Sequence, residues 1–310
     1  MPFFSVVIPT YNRREMLREA LASIWSQTFS DYEVIVVDDG STDGTRESLA
    51  TQNAPLRFLT QSHRGPGAAR NLGIGEAHGE YLVFLDSDDL WFPWTLETYA
   101  SVIREQGAPA FLTGMPFLFR DKMELFGVAK SALAINSFPD YLASSAEFRG
   151  WGVSSFVIRA DAMRACGGFM EANLNCEDLD LALKLGLAGG FIQITSPATF
   201  GYRSHGANVT SDLMKTVEGE WHQVRTEAAG GYPGGDQREL ERWRILSRHV
   251  RPVALECLRT GRRNEAWKLY RATFRWQWRL SRWKYILGFP VFAFLSALRV
   301  RRGAESRFAK

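Results

Sequence analysis

The sequence predicts an α/β fold, a mostly parallel sheet flanked by helices, with a helical extension at its C-terminal end. Three observations predict it. Over roughly the first 100 residues, short apolar runs alternate with helical patterns in the order βαβαβαβ, as the βαβ units of a doubly wound sheet do. Two of those runs end in acidic clusters, and open α/β sheets bind ligands at the carboxyl ends of their strands. Beyond GGYPGG, Gly230 to Gly235, nearly every segment has helical spacing.

The elements follow in order. Ser5 to Thr10 (SVVIPT) reads as a buried parallel strand. Asn12 is the expected N-cap of a helix from Arg13 to Gln27, whose apolar stripe is Met16, Leu17, Ala20, Leu21, Ile24 and Trp25. YEVIVVDDGS is a strand and turn, Thr42 to Gln52 a helix, LRFLTQ a strand, Gly67 to His78 a helix, and EYLVFLDSDD a strand. A helix over Pro93 to Gln106 precedes FLTGMPFLF and VSSFVIR, two candidate added strands. CGGF at Cys166 to Phe169 breaks the pattern; EDLDLALKLGLAGG then reads as a helix ended by Gly189 and Gly190. PATFGYRSHGANVTS is a strand followed by a loop, and no internal repeat is present.

With 310 residues, 45% hydrophobic and 23% charged, the chain can bury a full core and is neither low-complexity nor disordered. The GGYPGG stretch suggests a domain over 1–230 and a tail over 236–310. The net charge of +3 hides an asymmetry. The tail carries 19 Lys and Arg against 6 Asp and Glu, leaving the remainder at 18 against 28. An acidic body suits metal and neutral-sugar chemistry, and a basic tail with half of the ten tryptophans suits a phosphate-rich partner. Three cysteines without a CxxC pair read as free thiols, and the N-terminal apolar run is too short for a signal peptide, so a cytoplasmic location is expected.

The acidic clusters carry the chemistry. Asp38 and Asp39 close one strand; Asp86, Asp88 and Asp89 close another. Carboxylates this close repel one another unless hydrogen-bond donors or a hard divalent ion offset their charge. Helix caps or Asx turns are the alternative use of such residues.

In these motifs the chain resembles glycosyltransferase family 2, the inverting nucleotide-sugar transferases of Rossmann-like GT-A fold. The resemblance rests on VVIPTYNR (Val6 to Arg13), VIVVDDGSTDGT (Val34 to Thr45), RGPGAARNLGI (Arg64 to Ile74), GEYLVFLDSDD (Gly79 to Asp89), GGF (Gly167 to Phe169), EDLDLALKL (Glu177 to Leu185) and YRSHGANVT (Tyr202 to Thr210), in the family's order. It implies transfer of a sugar from a nucleotide-diphosphate sugar, a UDP-sugar by preference; the lack of processive features favours a single sugar per turnover, and the basic tail suits a hydroxyl of a glycan or lipid-linked acceptor. Pro9, Tyr11 and Asp39 match nucleotide-side positions, Asp39 as a charge-assisted reader of a pyrimidine imide N–H. Arg70 matches a nucleotide-side arginine, ahead of Arg64. Asp86, Ser87 and Asp88 form the D-x-D element, with Asp86 and Ser87 on the ribose side and Asp88 as ligand of Mg²⁺ or Mn²⁺. His205 resembles a histidine that completes the metal site, and an imidazole suits Mn²⁺ better than Mg²⁺.

Inversion needs one carboxylate to take the acceptor proton. Asp178 matches that position, with Glu177 the second choice; Asp180 lies about 200° around the helix from Asp178. Trp151 and Gly152 are the acceptor-side candidates, within a stretch from Phe111 to Val153 where the family pattern gives least help. Two other readings compete. A sugar-nucleotidyltransferase should carry a glycine-rich, lysine-containing N-terminal signature, where this chain has Pro9-Thr10-Tyr11-Asn12. A non-catalytic nucleotide-binding scaffold should have lost Asp88 or Asp178, and both are present. A processive synthase is disfavoured by the lack of a Q-x-x-R-W element.

In the tail, Lys268, Arg271, Arg275, Arg279 and Arg282 fall on one helical stripe, beside a broad face of Tyr270, Phe274, Trp276, Trp278, Trp283 and Leu287. YILGFPVFAFLSALRV is shorter than the about 20 apolar residues of a span and is interrupted by Gly288 and Pro290. The expectation is peripheral attachment to an anionic membrane surface, the inner face of the cell membrane. Packing against the body or a second subunit, giving a homo-oligomer, is the alternative. No nucleic-acid recognition module is present.

Overall fold

The computed structural model describes residues 1–50, 55–147, 152–206 and 212–308. Two compact units are present: Met1–Asn173 with Glu177–Asn208, and Leu174–Cys176 with Val209–Lys310.

In the first unit β1 (Phe4–Thr10), α1 (Arg14–Trp25), β2 (Tyr32–Asp38), α2 (Thr45–Ala50), β3 (Arg57–Thr60), α3 (Pro66–Gly75) and β4 (Tyr81–Phe84) form the expected alternation. There follow β5 (Leu90–Trp91), α4 (Thr95–Glu105), β6 (Phe111–Phe119), β7 (Ala134–Phe138), β8 (Phe156–Arg159), α5 (Ala160–Cys166), α6 (Glu177–Lys184) and β9 (Phe191–Arg203). The sheet order is β3-β2-β1-β4-β8-β6-β9-β5, with β7 also paired to β9. Strands β3, β2, β1 and β4 run parallel, whereas β8 is antiparallel to both β4 and β6.

Both faces of the parallel half are covered, as such strands require. Val6, Ile8, Val34, Val36 and Val83 pack with Leu17, Leu21 and Ile24 of α1 and with Leu96, Tyr99 and Ile103 of α4. Ile35 and Val37 meet Ala69 of α3 on the other face. Helix α3 approaches the sheet closely at Gly73 and the Phe169–Met170 segment closely at Gly67. A Cβ on Gly67 would lie 2.2 Å from the Met170 carbonyl oxygen, and one on Gly73 would lie 2.6 Å from Val7 Cγ1. Pro9 lies in a central strand without breaking the ladder, since β4 pairs with β1 only from Phe4 to Val7 and β2 alone accompanies Pro9.

One local expectation is corrected. Asn12 does not cap α1: its φ is 51° and its carboxamide oxygen accepts the Thr42 N–H at 2.8 Å, pinning the β1 loop to the β2 loop. The cap comes from across the sheet instead. Asp43 Oδ2 accepts the Arg14 N–H at 2.9 Å, while Asp43 Oδ1 accepts the Thr45 N–H and hydroxyl at the start of α2. Burial pushes the Asp43 pKa up, but the bonds from Thr45 and Arg14 outweigh it and hold it below the ordinary value. Asp43→Ala is expected to cost about 1–2 kcal/mol by urea denaturation. A depressed carboxylate contributes stability above its unfolded pKa and loses it as pH falls through its folded value, so the two proteins should converge in acid.

The second unit contains α7 (Leu213–Ala228), α8 (Glu239–Arg259), α9 (Arg263–Arg279) and α10 (Trp283–Phe308). GGYPGG is a turn inside this unit rather than a boundary: Arg242 donates to the carbonyls of Pro233 and Gly235, and its Nε–H reaches Glu227 at 2.7 Å. Trp243 donates to the same Glu227, which ties α8 to α7. The compact division at residue 208 therefore precedes α7.

Gly288 and Pro290 do not interrupt the last helix. A proline deprives the carbonyl four residues earlier of its helical donor. That carbonyl, Ile286, accepts the Tyr270 hydroxyl at 2.9 Å. Tyr270 also stacks on Phe289 at 4.3 Å, so α9 and α10 are joined where α10 would otherwise kink. No helix among the described residues is long and apolar enough to cross a membrane.

Candidate functional site

The predicted residues gather where β1, β2 and β4 end, joined by the end of β9 and the start of α6. Arg70 lies at the centre. It is 3% exposed, donates from Nη2 to Asp86 Oδ1 at 2.5 Å and from Nη1 to Glu177 Oε1 at 3.0 Å, and its guanidinium lies 5.2 Å from the Phe169 ring centroid. Burial alone lowers the pKa of an arginine, but the charges of Asp86 and Glu177 reverse this and raise it. Arg70 thus ties the D-x-D element to the acidic start of α6.

Each carboxylate of the two acidic clusters has a donor of its own. Asp38 accepts the Ser41 N–H in a tight turn. Asp39 is buried and accepts from Gln61 Nε2, His63 Nδ1, and the backbone N–H groups of Arg64 and Gly65, at 2.7 to 2.9 Å. That set occupies the roughly four acceptor positions of a carboxylate. Tyr11 is exposed and stacks on His63, centroids 4.1 Å apart. Arg64 turns away to Glu171.

Asp88 Oδ2 meets His205 Nε2 at 2.9 Å and Arg13 Nη1 at 2.7 Å. Asp89, buried behind it, accepts the Arg203 N–H at 3.0 Å; burial, reinforced by the charges of Asp86 and Asp88, pushes its pKa well up. Arg203 also donates to the Asp88 carbonyl and to Glu19, holding the turn in place. Ser87 is buried, and the Asp86 N–H donates to Ser154 Oγ at 3.0 Å.

At the start of α6 the Asp178 carboxylate accepts the Leu179 N–H at 2.8 Å. Burial raises the Asp178 pKa against the opposing pull of Leu179 N–H and Arg70; burial also raises that of Glu177, with the Asp178 charge adding and Arg70 opposing. Asp180 faces elsewhere, fully buried and paired with Lys184 at 2.7 Å.

Among the described residues, no three His, Cys, Asp or Glu side chains converge as a ready-made metal cage. Asp88 and His205 nonetheless present an oxygen and an imidazole nitrogen 2.9 Å apart, a donor set whose chemistry suits Mn²⁺. The residues fit the ion. On the acceptor side, Trp151 lies outside the described residues. Gly152, at φ 81°, accepts the Ser155 hydroxyl in the turn that delivers Ser154 to Asp86.

Sequence reasoning missed three participants. His63, Arg13 and Arg203 become part of the site only because separate loops meet there. Arg13 lies within the quoted TYNR motif, so its proximity to the strand end was the available signal. Arg203 likewise lies within the quoted YRSHGANVT motif, two residues before His205, whereas nothing in the residues around His63 announces the contacts it makes.

Residues 5–124 match the family described as "Glycosyl transferase family 2". The chain is 42% identical over 103 residues to an uncharacterized glycosyltransferase of Rickettsia felis, covering 33% of this chain and 17% of that one. It is 38% identical over 116 residues to the GalNAc(5)-diNAcBac-PP-undecaprenol beta-1,3-glucosyltransferase of Campylobacter jejuni, covering 36% and 38%. Matches to curated relatives therefore span well under two thirds of their lengths. Among solved structures, S. aureus TarS 1-349 with UDP-GlcNAc superposes with a TM-score of 0.59 at 20% identity, covering 90% of this chain and 92% of that one. Mannosyltransferase PcManGT from Pyrobaculum calidifontis, with GDP-Man and Mn²⁺, gives 0.54 at 18% identity, covering 96% and 86%. These structural likenesses carry the fold, an α/β architecture of GT-A type, and the sequence match is to glycosyl transferase family 2 over residues 5–124.

Proposed function

We propose that this chain is an inverting glycosyltransferase that moves one sugar from a UDP-sugar to a hydroxyl of a glycan or lipid-linked acceptor. The observation that carries the reading is the Arg70 bridge: it brings Asp86 of the D-x-D element and the Glu177–Asp178 pair to one place at the strand ends. The TarS complex with UDP-GlcNAc supports a uridine nucleotide, and the Campylobacter relative, named for an undecaprenol-linked substrate, supports a lipid-linked acceptor.

In this reading Tyr11 offers its exposed ring to the base, with the Asp39 loop beneath it, Asp86 faces the ribose, and buried Ser87 supports the turn between Asp86 and Asp88. Asp88 and His205 would hold Mg²⁺ or Mn²⁺, which supplies positive charge to the leaving diphosphate. Arg13, already at Asp88, stands ready beside the same phosphates. Asp178 takes the proton of the acceptor hydroxyl; the acceptor oxygen bonds to the anomeric carbon as the bond from that carbon to the diphosphate oxygen breaks, and the electron pair leaves with UDP. Glu177 is held by Arg70 and is less free to act as the base. The retention of Asp178 beside Asp86 and Arg70 favours a catalytic site over a non-catalytic scaffold, and burial raises its pKa, as befits a base.

Calorimetry with UDP tests the donor side. Affinity should rise at least about tenfold on adding Mn²⁺ and fall back in EDTA, and Asp88→Ala should abolish the metal effect while leaving metal-free binding nearly unchanged. Equal UDP affinity with Mn²⁺ and with EDTA would remove the metal from the proposal. A panel of nucleotide sugars, scored by hydrolysis, then identifies the donor.

A further inference from the structure

The aromatic residues of the second unit divide into two sets. Trp243, Trp276, Tyr270, Tyr285 and Phe289 are buried and make the core that joins α8, α9 and α10. Phe274 and Trp278 of α9 and Trp283, Leu287, Val291, Phe294 and Leu295 of α10 are exposed, at 54% for Trp278, 69% for Leu287 and 63% for Phe294. They form one strip. Phe274 and Trp278 are one turn apart with rings 6.3 Å apart, and Trp278 meets Trp283 edge-on at 4.7 Å across the turn between the helices. From there Trp283, Leu287, Val291, Phe294 and Leu295 follow helical spacing, so between Trp283 and Leu295 the outer face of α10 is apolar apart from Lys284. A soluble surface rarely exposes a strip of this kind without a partner.

Charge decides what covers it. Arg271, Arg275, Arg279 and Lys284 are exposed beside the strip. Between Glu265 and Glu305 the chain has nine Lys and Arg and no Asp or Glu. Arg275 and Arg279 reach a carboxylate, Glu239, only at 3.9 and 3.7 Å. A two-fold pairing of two copies through this strip would bring together two basic rows, each sharing the single carboxylate of Glu239. An anionic bilayer surface meets both features: the strip enters the boundary between headgroups and acyl chains, the two tryptophans lie at that boundary, and the basic row faces lipid phosphates.

We propose that the α9–α10 strip, Phe274 to Leu295, is the surface by which the protein lies on an anionic membrane, inserted shallowly and not spanning. This stands independently of the proposed transfer reaction. It can succeed if that reaction is wrong, and it can fail with the reaction intact.

The test uses the full chain and vesicles of phosphatidylcholine with and without phosphatidylglycerol. Co-sedimentation should be strong only with phosphatidylglycerol and should weaken with salt, and tryptophan fluorescence should shift to shorter wavelength and be quenched by brominated acyl chains. A variant with Trp278→Ser, Leu287→Ser and Phe294→Ser should keep its circular dichroism, since all three are exposed, and lose both binding and quenching. A variant with Arg271→Gln, Arg275→Gln and Arg279→Gln should bind about a hundredfold more weakly at low salt. Vesicle binding without brominated-lipid quenching would mean that charge alone acts, and would overturn insertion of the strip. So would a folded wild type that ignores the vesicles, or one that dimerises by light scattering through the three apolar positions.

Discussion

Asp178→Asn is expected to lower turnover by about a hundredfold or more while leaving UDP affinity within about twofold of wild type, since an amide keeps the carboxylate's shape but takes no proton at neutral pH. The surroundings make the prediction specific. Asp178 accepts the Leu179 N–H, a bond that the amide oxygen can also accept, so the start of α6 should not move. Its neighbour Glu177 is engaged by Arg70 and cannot substitute without breaking that ion pair. The pH profile adds a second readout. Burial raises the Asp178 pKa, and a base works only when deprotonated, so activity should fall as pH drops through that raised value. The acid limb of kcat/KM should therefore lie above the pH at which an ordinary aspartate titrates, and should disappear from the residual activity of Asp178→Asn. Full activity of Asp178→Asn together with an inactive Glu177→Gln would exchange the two roles.

Arg70→Met is the second large effect, and it is felt in folding as well as chemistry. Methionine fills much of the same volume but leaves Asp86 and Glu177 facing each other without the cation that separates them. Removing one partner of a buried ion pair costs about 3–5 kcal/mol; Asp86 retains 30% exposure, which places the expectation near the lower end of that range. Arg70→Lys should recover only part of the loss, because an ammonium is a point charge and cannot bond both carboxylates in the fixed fork of a guanidinium. Urea midpoints give the stability and UDP calorimetry the function. A Met variant with wild-type stability would show that Arg70 is merely accommodated among the carboxylates and does not hold them.

The order of strands and helices and the position of the acidic clusters were legible in the sequence, because both follow from local pattern. Val6 to Thr10 and Val34 to Asp38 are apolar runs too short for helices, and a parallel strand buried on both faces has that appearance. Arg70 was expected at the site only through the resemblance of RGPGAARNLGI to the family motif. Its use was not, since Asp86 and Glu177 stand 16 and 107 positions away in the chain.

The same limit explains the other differences. The α1 cap comes from Asp43, 29 residues distant, and the Pro290 carbonyl partner is a tyrosine on another helix. Strand β8 enters the parallel sheet in reverse because of a pairing that no property of FVIR states. In the tail, hydrophobic periodicity identified the helices, but a helix apolar all round gives no indication of which side is buried. Local composition by itself determined which segments are helix or strand and where charge accumulates. Only the tertiary structure decided which charges neutralise one another and which aromatic residues remain exposed, because hydrogen bonds and burial are set by distances in space that the spacing along the chain does not encode.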